Sequence, residues 1–284
     1  MREGVKKRLH YNVRVIEYPN GDIQARGYST LMHKEEEKSE EEKERLQQIR
    51  EERRRERKNP FDDSLCMEVV DFDDYEDIKL CNQYRSANRT KQAVFTYARS
   101  NVWKWFVTFT FSGTMVDRYN YDECSKAVRK WLNNCRRLAP DLQYLIVPEQ
   151  HKDGAWHFHG LLNNTGNMVF KDSGKKSKGQ VIYNMTAYKY GFTTATEVND
   201  TSRVSKYIGK YITKSLSDKT AGKHRYFVSN NLQKPVSYLY FCESQNVADI
   251  LAFMEKITNK KVAHVSQTKA TDDTYTKVMY VELT

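Results

Sequence analysis

The segment Trp156-His157-Phe158-His159-Gly160 alternates bulky apolar residues with histidines, and it constrains the fold more than any other part of the sequence. Side chains alternate between the two faces of a β-strand. The two histidines therefore point to one face, while Trp156 and Phe158 point to the core on the other. With a rise of roughly 3.3 Å per residue, the imidazoles lie about 7 Å apart, which suits a shared divalent metal ion. The pattern predicts a strand that carries a metal site.

The composition indicates a globular protein with a charged surface. The 284 residues are 39% hydrophobic and 30% charged, so the chain can build a sizeable core. No apolar run approaches the roughly 20 residues that span a bilayer, and the first residues lack the apolar region of a signal peptide. Five cysteines form no C-x-x-C pair. This favours free thiols in a reducing cytoplasm and no membrane association.

The net charge of +10 is unevenly distributed. Residues 33–78 hold 10 Lys and Arg against 18 Asp and Glu, a balance of −8. The remaining residues hold 37 basic against 19 acidic side chains, a balance of +18. Such a basic chain is typical of a nucleic-acid-binding protein, although a merely soluble basic protein is the simpler alternative. No P-loop is present, which argues against an intrinsic ATPase.

Secondary-structure patterns divide the chain into four segments. Asn20-Gly21 between alternating runs predicts a hairpin over 11–30. The segments are an N-terminal hairpin at 1–32, a charged helix and acidic linker at 33–79, an α+β domain with a mostly antiparallel sheet at 80–235, and a C-terminal helix and strand at 236–284 that extend this domain.

Within the main domain, the patterns predict three helices and four strands. The expected helices span about 80–100, 121–138 and 201–217, the last with Thr201 or Ser202 as its N-cap. The expected strands lie at 103–111, 144–147, 155–162 and 191–198, and 171–180 is expected to be a basic loop. A helix at 248–257 and a strand at 278–283 complete the C-terminal segment.

Glu149 is the expected partner of the two histidines. A tight turn at Lys152-Asp153-Gly154 brings the end of one strand beside the start of the next. Glu149, His157 and His159 then form a three-ligand site with open positions. Mixed imidazole and carboxylate ligands suit Mg²⁺ or Mn²⁺ acting on a phosphate oxygen, and Zn²⁺ is also compatible with these ligand types.

Two tyrosines lie four residues apart in the predicted helix 201–217. Tyr207 and Tyr211 fall on one helix face with Lys214, beside a stripe formed by Lys206, Lys210 and Lys214. A tyrosine attacks efficiently only when a metal ion or a lysine stabilises its phenolate. The pair therefore predicts either nucleophiles, supported by Lys210 and Lys214, or tyrosines that contact DNA or pack.

Three motifs, in this order, resemble the rolling-circle replication initiators of the HUH endonuclease superfamily. They are Phe106-Val107-Thr108-Phe109-Thr110-Phe111, the His157-Phe158-His159 metal motif, and the two-tyrosine motif from Tyr207 to Lys214. The flanking runs Arg85–Lys91 and Arg225–Leu232 also resemble bacterial phage and plasmid Rep proteins. The resemblance covers about 80–235.

The resemblance implies a ferredoxin-like (RRM-like) α+β domain with a five-stranded antiparallel sheet and flanking helices. It implies that the protein nicks one strand of origin DNA, in single-stranded or melted hairpin form. A tyrosine forms a 5′-phosphotyrosine link and leaves a 3′-OH that primes a host polymerase, and the second tyrosine rejoins the displaced strand. The family's third metal ligand is a carboxylate; Glu149 is the first choice, ahead of Gln150 and His151. No helicase domain is present in the sequence, so a host helicase and a bacterial cytoplasm are expected.

Two other functions fit parts of the pattern. One is a single-tyrosine transposase of the same superfamily; the other is a non-catalytic DNA-binding protein that controls plasmid copy number. Expected DNA contacts are the lysines of the 171–178 segment, with Lys175, Lys176 and Lys178 foremost, and Lys206 on the tyrosine helix. These lysines are suited to phosphate rather than to base recognition.

Overall fold

The computed structural model describes residues 8–35, 44–45, 47–48, 72–212, 216, 219–220, 222–267 and 277–284, with side chains in the first helix from residue 86 onward. These residues form an α+β structure with two antiparallel sheets, one of five strands and one of seven. This architecture is compatible with a ferredoxin-like type of domain. The central sheet therefore has two more strands than the five that the family resemblance implies.

The secondary structure alternates between short strands and four α-helices in the described part of the chain. The strands are β1 (Arg8–Glu17), β2 (Ile23–Glu35), β3 (Trp105–Phe111), β4 (Gln143–Gln150), β5 (Trp156–Asn163), β6 (Phe170–Ser177), β7 (Gln180–Met185), β8 (Gly191–Glu197), β9 (Phe227–Val228), β10 (Val236–Tyr240), β11 (Val262–Gln267) and β12 (Val278–Leu283). The helices are α1 (Phe72–Arg99), α2 (Tyr121–Cys135), α3 (Thr201–Ile208) and α4 (Val247–Thr258).

The chain divides into two compact units. The terminal unit comprises residues 1–17, 22–78 and 237–284, and the central unit comprises 18–21 and 79–236. The sequence analysis expected 236–284 to extend the main domain. The division instead groups these residues with the N-terminal hairpin, because β12 pairs with β2 along its whole length.

The central unit is built on the seven-stranded sheet, in the order β6-β7-β8-β3-β5-β4-β9. Helix α2 starts at Asn120, whose side chain accepts hydrogen bonds from the first-turn backbone amides. Its apolar stripe packs against one face of the sheet, where Trp131 contacts Phe109 with ring centroids 4.9 Å apart. The opposite face carries both histidines of β5.

The terminal unit has a smaller core. Its sheet runs in the order β10-β1-β2-β12-β11. Ile250 and Met254 of α4 are buried with Val13, Ala25 and Val281 of the strands. The predicted β1–β2 hairpin is confirmed, and Gly21 adopts a φ of +85° in its turn.

The predicted basic loop at 171–180 is wrong, because this segment is the β6–β7 hairpin. The register pairs Lys171 with Asn184 and Ser177 with Gln180. Lys178 and Gly179 both have positive φ, 50° and 82°, as a two-residue hairpin turn requires. Phe170 stacks on Trp105 at 4.2 Å and attaches the hairpin to the sheet.

The predicted helix at 201–217 is shorter than expected. α3 ends at Ile208, and a 3₁₀ turn follows over Gly209–Tyr211. Its N-cap is Asp200, which accepts a hydrogen bond from the Arg203 amide, rather than Thr201 or Ser202. The residues after Ile212 are described only in part, so Lys214 lies outside the described residues.

Most of the charged 33–79 segment also lies outside the described residues; from residue 72 its backbone belongs to α1. Within the described residues, no helix is long and apolar enough to cross a membrane. The three cysteines described, Cys124, Cys135 and Cys242, are buried free thiols.

Candidate active site

Three neighbouring strands place the predicted metal ligands on one face of the central sheet. β4 and β5 form a hairpin in which Glu149 lies directly opposite His157. β3 flanks β5 on the other side, with Thr108 opposite His159 and Thr110 opposite His157. Because directly paired residues point to the same face, Glu149, His157 and Thr110 form one row across the strands. The sequence prediction of this juxtaposition is confirmed.

The two threonines fix the orientation of the imidazoles. Thr108 Oγ1 lies 3.1 Å from His159 Nδ1, and Thr110 Oγ1 lies 3.2 Å from His157 Nδ1. A hydroxyl can donate or accept, so each threonine can bind either imidazole tautomer. In both histidines Nε2 is the nitrogen that remains available on the site side. Such an outer contact is the usual way in which a metal-binding histidine is held.

A potential metal-binding cluster is formed by Glu149, His151 and His159, whose ligand atoms all lie within 4.8 Å of one another. His159 Nε2 is 2.7 Å from Glu149 Oε2, and His151 Nε2 is 3.4 Å from the same oxygen. His157 lies outside this cluster, although its ring stacks on that of His151 at 3.7 Å. The residues present fit a divalent ion because imidazole and carboxylate donors converge there.

The electrostatics of the site favour the deprotonated ligands that a metal ion needs. The hydrogen bond from His159 lowers the pKa of Glu149 below its ordinary value, against the opposing effect of burial. Burial lowers the pKa of His157 to about 4, with further contributions from His151 and His159. At neutral pH the carboxyl of Glu149 is therefore ionised and the imidazole of His157 is neutral.

Both tyrosines lie over the histidines. Val204 and Ile208 are buried and attach α3 to the sheet, and Ile212 is buried just after the 3₁₀ turn. This anchoring places the Tyr211 ring flat on His159, with centroids 3.8 Å apart and planes within 8°. The Tyr211 hydroxyl donates to the Tyr207 oxygen at 2.9 Å. The 3₁₀ turn therefore still brings the two phenols together, as the four-residue spacing predicts.

The two phenols have different environments. The Tyr207 side chain is exposed, at 44% of its full accessible surface, and packs edge-on against Phe106 at 5.4 Å. Tyr211 is half-buried, and burial together with its donated hydrogen bond raises its pKa above the ordinary value. The Lys210 ammonium lies 5.5 Å above the Tyr207 ring. Of the predicted site lysines, the structure thus brings Lys210 to the tyrosines.

The predicted DNA-contacting lysines lie on two exposed elements. Lys175 and Lys176 are on β6 and Lys178 is in the turn that follows it. Lys206 is in the last turn of α3. All four side chains are exposed, and none lies in the cluster around Glu149.

The sequence patterns rank His151 low and do not identify the roles of Thr108 and Thr110. His151 follows β4 in the turn, where two-residue periodicity does not apply; its amide donates to the Ala155 carbonyl, and this closes the turn. The threonines had a usable signal, since they alternate with Phe109 and Phe111 on β3. Gln150, the other alternative ligand, binds the Lys219 ammonium instead.

The arrangement combines a set of potential metal ligands with two hydroxyl nucleophiles on an open sheet face. No curated protein matches the chain, and no solved structure matches it. A family model does match, over residues 104–216, which include β3, the histidines of β5 and both tyrosines. That segment is similar to the replication-associated protein ORF2 family, a similarity consistent with a replication initiator.

Proposed function

We propose that the protein is a replication initiator that nicks one strand of origin DNA by tyrosine transesterification. The observation that carries this proposal is the stack of Tyr211 on His159, which places a hydrogen-bonded tyrosine pair directly on the potential metal ligands. The similarity to the ORF2 family of replication-associated proteins supports the same class of function.

Tyr207 is the better placed first nucleophile. Its oxygen accepts the hydrogen bond of Tyr211, and this bond stabilises the negative charge that develops when the Tyr207 proton leaves. Lys210, over the same ring, adds a positive charge. Because Tyr207 is exposed, its proton can pass to solvent and its oxygen can reach an incoming phosphate.

The reaction exchanges one phosphodiester for another. The Tyr207 oxygen forms a bond to the scissile phosphorus, and the bond from phosphorus to the 3′ oxygen breaks. The 3′ oxygen takes a proton from water and becomes a 3′-OH, while the 5′ phosphate stays attached to the tyrosine. Bond energy is retained in the phosphotyrosine, so the step needs no ATP.

Glu149, His151 and His159 are the residues that would hold a divalent ion, with His157 beside them. Mg²⁺ or Mn²⁺ at this position would supply Lewis-acid polarisation of a phosphate oxygen. Thr108 holds the His159 ring in a fixed orientation. The stack of Tyr211 on the face of that ring limits its movement further.

Two tyrosines permit a second transfer. Once Tyr207 carries the 5′ phosphate, Tyr211 is the remaining hydroxyl of the tyrosine pair, and a second attack can release the displaced strand as a circle. Lys175, Lys176, Lys178 and Lys206 are proposed phosphate contacts for the bound strand. A host helicase and a host polymerase would unwind and extend the nicked origin.

The test is a covalent adduct with single-stranded DNA. The protein is incubated with Mn²⁺ and a random-sequence single-stranded library labelled at the 3′ end, because the 3′ fragment is the one that stays on the tyrosine. We expect a labelled adduct that survives SDS and that mass spectrometry maps to Tyr207 or Tyr211. The double variant Tyr207→Phe, Tyr211→Phe should form none.

Tyr238→Phe is a matched control, since this tyrosine is similarly exposed, at 42% against 44% for Tyr207, and lies in the terminal unit. An adduct in the double variant would refute the assignment of the nucleophiles. Tight DNA binding by wild type with no adduct at any metal concentration would favour the non-catalytic copy-control protein. An adduct that needs one tyrosine throughout a complete strand transfer would favour the transposase.

A further inference from the structure

Phe192 is an exposed aromatic side chain in the same row as the histidines. It lies directly opposite Thr110 on β3, and Thr110 lies opposite His157 on β5. Two strand spacings of about 4.8 Å therefore separate Phe192 from His157 across the sheet, roughly 10 Å. Phe192 is 61% exposed, the most of any described phenylalanine.

The backbone fixes this position firmly. Thr193 and Ala195 of β8 are buried on the α2 side of the sheet, so Phe192 and Thr194 must point to the open side. Gly191, just before, packs so tightly on β3 that a Cβ would lie 2.1 Å from the Thr110 carbonyl oxygen. Phe192 is therefore an apolar ring held in the open by a rigid strand, and none of the ring contacts within the described residues involves it.

The open face continues from Phe192 towards positive charge. Tyr183 of β7 pairs with Ala195, which places the next residue, Asn184, on the same side as Thr194. Lys171 of β6 pairs with Asn184, so its exposed side chain belongs to this face as well. The face thus leads from the histidines, across threonines and an exposed ring, to a lysine.

We propose that Phe192 is a base-stacking platform for the single DNA strand, beside the scissile phosphate, with Lys171 binding a phosphate further along. This inference rests on the proposed function, because it takes the occupant of the face to be single-stranded DNA. An aromatic ring paired with nearby cations is the combination by which proteins hold unpaired strands. Stacking accepts any base, so Phe192 contributes affinity and alignment rather than sequence selection.

The experiment compares two probes of equal charge in EDTA, so that nicking plays no part. One is an oligothymidylate of about 12 nucleotides, a length within the sites of single-strand-binding proteins. The other is the same phosphodiester chain with abasic sugars throughout. Fluorescence anisotropy gives Kd for each probe. We expect Phe192→Ala to weaken oligothymidylate binding about tenfold and to leave the abasic chain unchanged.

Phe192→Trp should retain the preference for bases, and Phe192→Leu, which keeps much of the apolar volume but has no aromatic face, should lose it. Phe241→Ala removes a ring that is 51% exposed in the terminal unit and should have no effect. Lys171→Ala should weaken both probes equally and reduce the salt dependence of binding. Equal affinities for wild type and Phe192→Ala, or an equal loss on both probes, would overturn the proposal.

The outcome of this binding comparison is separate from that of the nicking test. If the base preference depends on Phe192 but no covalent adduct forms with Mn²⁺, the stacking platform stands and the transesterase proposal fails. If adducts form while Phe192→Ala binds both probes like wild type, the transesterase stands and the platform fails.

Discussion

The two threonines of β3 provide a matched pair of substitutions that identifies the metal ligands. Thr108 contacts Nδ1 of His159, which belongs to the potential metal-binding cluster; Thr110 contacts Nδ1 of His157, which does not. Thr→Val at either position removes one hydroxyl and keeps the branched shape. The contacts are alike, at 3.1 and 3.2 Å, so the two variants lose similar hydrogen bonds.

The expected effects differ in metal affinity and agree in stability. Loss of an outer partner of a metal-binding histidine costs about 10- to 100-fold in affinity, or about 1.4–2.8 kcal/mol. If Glu149, His151 and His159 hold the ion, Thr108→Val carries this loss and Thr110→Val does not. Each variant should also lose about 1 kcal/mol of folding stability, from the hydrogen bond itself.

Isothermal titration calorimetry with Mn²⁺ measures the affinities, and thermal denaturation in EDTA measures the stabilities. We expect a weaker Kd for Thr108→Val alone, with equal shifts of Tm in both variants. Equal losses of affinity would show that His157 is a ligand, as the sequence predicts, and would refute the three-residue set drawn from the geometry. No loss in either variant would place the metal elsewhere.

Three further outcomes are expected. The metal-free protein should lose about 1 kcal/mol between pH 7.5 and 5, after allowance for solvent screening, because the pKa of His157 falls from 6.5 unfolded to about 4 folded and the unfolded chain binds more protons in that interval. Urea denaturation of His157→Gln should show a flatter pH dependence; an unchanged one would contradict this. Gly191→Ala should cost at least about 2 kcal/mol by the same assay, since its Cβ would collide with the Thr110 carbonyl, whereas Gly113→Ala, with no atom within 4 Å, should be neutral. Tyr211→Phe should still form the first adduct, slowed about 10- to 100-fold by loss of one hydrogen bond to a phenolate, and Tyr207→Phe should form none; the reverse order of rates on SDS gels would assign the first attack to Tyr211.

Local patterns in the sequence predict the parts of the fold in which one strand face is buried. The alternation in β3 and β5 sets both the faces and the relation of His157 to Glu149, because a shift of one residue would expose the whole core face. The hairpin at Asn20-Gly21 is equally local. Its turn residues determine the strand pairing.

The missed features depend on contacts that local patterns do not encode. The β6–β7 hairpin turns at Lys178-Gly179, where a lysine adopts a positive φ that sequence rules assign to Asn or Gly. It is held by the stack of Phe170 on Trp105, distant in the chain. His151 joins the site through the geometry of a turn, and α3 ends early because Gly209 begins a 3₁₀ turn.

The pairing of β12 with β2 has a consequence for how the chain is synthesised. Residues 79–236 leave the ribosome before β11 and β12 exist, so the central unit can fold while the terminal unit lacks two of its five strands. A two-stranded hairpin is marginal in water, and β1–β2 would wait with Val13 and Val15 uncovered. We therefore expect the first-made strands to be among the last to become native. A chain stopped before residue 262 should hold a folded central unit and an unpaired, aggregation-prone edge.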